Sequence, residues 1–164
     1  MERRHPNVVN ADEIELQSGP TKGRYASRIR RFTQASGAQQ IGCSLYEVAP
    51  GAMAFPYHWH AANEEVIIVV SGTGTARIGD AVVSIRGGDF IAFPAGQAHA
   101  HQLEATGDEP LRYYCLSTQK DPEVCGYPDS KKVAMFSRVG GKPTRVLLRE
   151  EDGARDYFDR DPHA

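Results

Sequence analysis

The 164-residue sequence predicts an all-β domain, a sandwich or a barrel, on three observations. Between Tyr25 and about Thr118, short runs rich in Val, Ile, Tyr and Phe succeed one another at regular spacing. Gly-, Pro- and Asp-containing turns separate these runs, and no helical apolar pattern intervenes. Residues 1–164 are therefore expected to form a single domain, with the barrel over about 25–120 and the two flanking segments packed around it.

Taken in order, residues 1 to about 22 form a polar lead-in bounded by Gly and Pro. Two alternating runs follow, YASRIRRFT (25–33) and QIGCSLYEVAP (40–50). NEEVIIVVSG (63–72) reads as a nearly continuous apolar strand; TARIG, AVVSI, DFIAFP, HAHQLEA and PLRYYCLST complete the series. The breaks fall at Gly37, Pro50-Gly51, Gly79-Asp80, Gly87-Gly88-Asp89, Pro94-Ala95-Gly96 and Gly107 to Pro110. Gly72 and Gly74 read as a hairpin turn and not as a phosphate loop, because no helix pattern follows to supply amides and a dipole. Beyond Thr118 a Pro- and Asp-rich extension carries one further expected strand, KKVAMFSRV, and the charged tail from Arg149 has room for one helical turn at most.

Composition narrows the function classes. A formal net charge of −2 argues against a nucleic-acid surface, and the short group Arg28, Arg30 and Arg31 reads as a solvated strand face. Three cysteines without a C-x-x-C pair fit a reduced protein, with Cys43 and Cys115 expected as buried small hydrophobes. No apolar run reaches transmembrane length, and the first residues lack the apolar core of a secretory signal. The expectation is a cytoplasmic protein with a small-molecule partner and neither a nucleic-acid nor a membrane one.

Chemistry concentrates in GAMAFPYHWHAANEEVIIVVSG, residues 51–72. The i, i+2 spacing of His58 and His60 puts both imidazoles on one strand face. Glu65 opens a strong apolar strand; on the face of Ile67 and Val69 it would put a charge inside a barrel, which is costly unless paired or bound to metal. A second segment, GDFIAFPAGQAHAHQLEA (88–105), brings His99 and His101 onto a common strand face. Two such segments delivering imidazoles to one interior make a convergent metal site. Met53, Phe55, Tyr57 and Trp59 read as packing or pocket wall.

These residues resemble the cupin superfamily. Its first motif is a glycine, H-x-H, four residues, a glutamate, six residues and a glycine; His58, His60, Glu65 and Gly72 match, with Gly51 one residue further out than usual. Glu64 is the alternative carboxylate, but only Glu65 leaves six residues before Gly72. The second motif resembles Gly88, Pro94-x-Gly96 and a downstream histidine. Its usual spacing selects His99; the nine-residue step to Pro110, and AHQL followed by GDEPLRY as in a bacterial cupin subgroup, favour His101. The family's asparagine is Ala105 here, so the partner of that histidine is open. The resemblance spans about residues 40–120, and DPEVCGYPDSKKV is similar to the same subgroup. It implies a double-stranded β-helix, or jelly-roll, barrel in a homodimer, formed through a sheet face and exchanged N-terminal segments.

The resulting expectation is one divalent ion on His58, His60, Glu65 and His101, with His99 as the alternative to His101. Such ligands suit Fe, Mn, Ni, Co or Zn without choosing among them. The function that follows is a metal-dependent isomerase, epimerase or lyase acting on a small oxygen-rich molecule such as a sugar or sugar phosphate. An Fe(II) dioxygenase and a non-enzymatic small-molecule sensor are the alternatives. His99, Glu64 and Tyr114 are the candidate general bases.

Overall fold

The computed structural model describes residues 5–138, 142–153 and 162. In chain order its strands are β1 (Gln17–Ser18), β2 (Ser27–Arg31), β3 (Ile41–Val48), β4 (Trp59–His60), β5 (Glu65–Ser71), β6 (Thr73–Ile78) and β7 (Ala81–Arg86). They continue as β8 (Phe90–Phe93), β9 (His101–Ala105), β10 (Leu111–Thr118), β11 (Glu123–Tyr127), β12 (Lys132–Ser137) and β13 (Thr144–Arg149). Among the described residues helix is confined to short 3₁₀ turns and to α1 (Phe32–Ser36) and α2 (Glu150–Gly153). Helix α2 supplies the single turn expected of the tail; Val139 of the expected KKVAMFSRV strand and most of the tail beyond 153 lie outside the described residues.

Two antiparallel layers face each other as a jelly roll. One is the six-stranded sheet β1-β2-β3-β10-β5-β8. The other begins as β7-β6-β9 and continues through the segment 51–60 into β4-β11-β12-β13. The join is a reciprocal pair of backbone bonds between His58 and His101, 3.1 and 2.8 Å, supported by Ala105 N–H to Ala52 C=O at 2.9 Å. Period-two alternation sets what lies between the layers. On β5, Ile67 and Val69 are 2% exposed while Ile68 and Val70 face outward at 37 and 45%. The core adds Ile29, Val48, Ile85, Phe93, Leu103, Leu111 and Tyr113.

Three expectations need correction. Gly72 is not in a hairpin: β5 pairs with β10 and β8, whereas β6 pairs with β7 and β9. It is a corner at which the chain leaves one sheet for the other, with φ +82°; a Cβ there would stand 2.5 Å from the Pro110 carbonyl oxygen. The arginines of β2 are not simply solvated, because Arg28 and Arg30 bind Glu47 at 2.8 and 2.9 Å. Cys43 is half-buried, Cys115 packs against the core as expected, and the cysteine most completely buried is Cys125 on β11. Among the described residues no helix is long and apolar enough to cross a membrane.

Candidate metal centre

The histidines come from one layer and the carboxylate from the other. His58 and His60 project from the strand ending in β4, and His101 opens the neighbouring β9. Glu65 opens β5 in the facing sheet, on the inward side set by Ile67 and Val69. One donor atom from each of these four residues lies within 4.8 Å of all the others. His60 Nε2 is 3.3 Å and His101 Nε2 is 3.6 Å from the Glu65 carboxylate.

Backbone geometry aims the rings. His58 Nδ1 lies 2.8 Å from the Pro56 carbonyl oxygen, and His101 Nδ1 lies 3.0 Å from that of His99. A carbonyl only accepts, so each Nδ1 carries the proton and each Nε2 presents a lone pair. His99 thus enters through its backbone, as the partner of His101 that the sequence left open. Its side chain is on a 3₁₀ turn (Gln97–His99) and is not among the four converging residues. The loop is tied to the first motif by Gly96 N–H, which donates to the His60 carbonyl at 2.7 Å. Phe93 stacks on the His101 ring, with centroids 3.7 Å apart and planes within 8°.

The electrostatics fit a cation. Burial, and next the neighbouring His101, lower His58 to about 4. Burial would also lower His60, but its contacts with Cys125 and Glu65 outweigh that and raise it to about 10. Burial opposes ionisation of Glu65, yet the His101 and His60 imidazoles beside it hold it well below the usual carboxylate range. The Nε2 atoms of His60 and His101 are nevertheless buried without a hydrogen-bond partner. Two unpartnered imidazole nitrogens converging on a carboxylate suit a divalent ion, which would bind all three and offset their desolvation.

Of the candidate bases, Glu64 is exposed and Tyr114 lies on the outer face of β10 against Phe32, so neither joins the cluster. The groups at the site that sequence reasoning missed are on β11. Cys125 pairs in register with His60 and places Sγ 3.3 Å from its Nδ1. Tyr127 stacks beside His58 at 6.0 Å between centroids. Glu123 accepts backbone N–H bonds from Ala61, Ala62 and Asn63 at 3.0, 3.3 and 2.7 Å. The available signal was DPEVCGYPDSKKV, which carries all three residues. A small interior cavity, about 20 Å³ and large enough for one water-sized group, adjoins the cluster and is lined in part by Phe55, Gln102, Tyr113 and Cys115.

Comparison with known proteins agrees with this architecture. Residues 44–117 match the family model described as a cupin domain. A protein of Acidithiobacillus ferrooxidans, provisionally named a sugar phosphate isomerase, superposes with TM-score 0.79 at 25% identity, over 92% of this chain and 97% of that one. A cupin-superfamily sugar phosphate isomerase of Silicibacter pomeroyi gives 0.78 at 24% identity, covering 93% and 98%. The polyketide cyclase RemF of Streptomyces resistomycificus shares the fold at TM-score 0.58 and 19% identity, over 75% and 84%. No curated protein sequence matches the chain.

Proposed function

We propose that this chain, whose residues 44–117 match the cupin domain, is a metal-dependent enzyme whose His58, His60, Glu65 and His101 hold one divalent ion. The observation that carries the reading is the pair of buried, unpartnered Nε2 atoms converging on Glu65. Fe, Mn, Ni, Co and Zn all suit three imidazoles and a carboxylate. When bound, the ion supplies Lewis-acid polarisation of a carbonyl or hydroxyl oxygen.

The chain's own residues set what approaches that point. Burial raises the Tyr113 hydroxyl far above its ordinary value, so it holds its proton at neutral pH and offers a donor to a substrate oxygen; burial, and next the Glu65 carboxylate that its thiol faces, raise Cys115 likewise. Gln102 is fixed in the wall by its amide, which donates to the Phe55 carbonyl at 2.8 Å. The apolar walls exclude water from the reacting end.

The substrate class we propose is a small oxygen-rich molecule, a sugar or sugar phosphate, undergoing isomerisation, epimerisation or lyase cleavage. The name carried by the A. ferrooxidans protein supports this class. The cavity beside the cluster takes a group of water size, and we place one oxygen function of the substrate there with the rest of the molecule outside. No Lys or Arg lines the cavity. Outside it, Tyr127 is paired with Lys132, and Lys132 with Arg149, which puts two cations on the sheet face that carries His58 and His60. At about 4.8 Å per strand Lys132 stands about 10 Å from β4, within reach of the anionic end of a sugar phosphate, while Arg149 lies a strand further out and is paired with Glu151. The homodimer remains part of the proposal; exposed Ile68, Val70 and Phe90 lie together on the outer face of β5 and β8 and offer an apolar surface for it.

A panel of aldose, ketose and sugar phosphates, incubated with metal-loaded protein without oxygen, tests the reading. Metal-dependent turnover is expected. Turnover only in oxygen would put a dioxygenase in its place, and saturable binding without turnover would leave a sensor.

A further inference from the structure

The three imidazoles are not oriented in the same way. His58 and His101 have Nδ1 against backbone carbonyls, at 2.8 and 3.0 Å. Among the described residues the His60 ring makes no hydrogen bond to a carbonyl. Its Nδ1 faces the Sγ of Cys125 at 3.3 Å, with Glu123 Oε1 further away at 3.9 Å. The Glu123 carboxylate is committed elsewhere, since its two oxygens accept the N–H groups of Ala61, Ala62 and Asn63.

His60, Glu123 and Cys125 also stand close enough to be read as a second cation site. That reading fails on the same bonds: a carboxylate engaged by three backbone donors would have to abandon them to bind an ion. What remains is a sulfur aimed at the back of an imidazole whose other nitrogen is buried and unpartnered.

We propose that Cys125 is a positioning residue: its sulfur accepts the His60 Nδ1–H bond, fixing the tautomer and ring angle that aim Nε2 at the ion. The proposal rests on the metal reading above and adds a residue from outside the cupin match, which ends at residue 117. Two fixed strands set the sulfur–nitrogen spacing. Cys125 is directly paired with His60, and the next pair, Gly126 with Trp59, is so close that a Cβ on Gly126 would stand 2.2 Å from the indole. The extension strand therefore acts on the ligand shell through one side-chain contact.

Titration of metal-free wild type, Cys125→Ala and Cys125→Ser with Co(II), followed by the visible absorption of the bound ion, tests this. Losing an outer-shell partner should weaken binding by about 10–100-fold in Cys125→Ala and shift the Co(II) bands. Cys125→Ser, which keeps an acceptor, should return both affinity and spectrum most of the way. The melting temperatures of the metal-free variants should not follow the affinity order. If Cys125→Ala does not fold, Cys125→Val, similar in size and without an acceptor, takes its place. Wild-type affinity in the Ala or Val variant, or a Ser variant as weak as the Ala, overturns the inference while leaving the metal site intact. A wild type that takes up no Co(II) overturns the metal reading, and this inference with it.

Discussion

Replacing Glu123 by Ala should destabilise the protein by removing the anchor of the turn between His60 and Glu65. The carboxylate is 6% exposed and accepts three backbone N–H bonds, from Ala61, Ala62 and Asn63. Ala61 is exposed and Ala62 half-buried, so water substitutes for the lost acceptor at those two. The Asn63 N–H is buried, and leaving such a group unpaired costs about 1–3 kcal/mol. With a fraction of a kcal/mol from each wetter bond, the total loss is about 2–4 kcal/mol. Glu123→Gln keeps one acceptor oxygen and should lose about half as much. Urea unfolding of the metal-free protein, read at unchanged m-value, measures both. A Glu123→Ala loss below about 0.5 kcal/mol would show that residues 61–63 hold their place without the carboxylate.

Other outcomes follow from the same geometry. His60, raised to about 10, carries a proton in the metal-free protein at pH 7 that an incoming ion must displace, while His58, lowered to about 4, does not. Metal affinity should therefore rise with pH by up to about tenfold per unit between roughly 6.5 and 10, with one proton released in calorimetry across buffers; affinity independent of pH would contradict this. Conversely, because the folded value lies above the ordinary one, protonated His60 stabilises the metal-free fold fully below about 6.5, a contribution lost as pH rises towards 10. Lys132→Ala should raise KM for a phosphorylated substrate by about 5–10-fold relative to its unphosphorylated analogue, with metal content unchanged; an equal effect on both would remove Lys132 from substrate recognition. Light scattering at micromolar concentration should report a dimer, and a monomer would reject the proposed assembly.

The barrel was legible wherever one face of a strand is buried and the other is not. On β5, β9 and β10 the alternation runs through Ile67 and Val69, Leu103 and Ala105, and Leu111 and Tyr113. The same alternation identified Glu65 as inward, against the chemistry of its side chain. Strand β11 was illegible for the opposite reason: its inward residues are Glu123, Cys125 and Tyr127, and a Gly lies among them, so no apolar period appears. Strand β13 is exposed or half-exposed on both faces and leaves little pattern either. Spacing within the chain left His99 and His101 as alternatives; they separate in space because His99 lies in a 3₁₀ turn and His101 opens a strand paired with His58. Tyr114 looked like a candidate base only while the facing of β10 was unknown.

The proposed metal centre requires His58, His60, Glu65 and His101 to bind a divalent ion together. Elemental analysis of purified wild type, His60→Ala, His101→Ala and His99→Ala tests it most directly, with circular dichroism confirming that each variant is folded. About one metal ion per wild-type chain is expected, with near-complete loss in His60→Ala and His101→Ala and wild-type content in His99→Ala, which keeps the backbone carbonyl that His101 uses. Loss of metal in His99→Ala but not in His101→Ala would contradict the ligand set, and wild-type protein that takes up no divalent ion would contradict the metal centre itself.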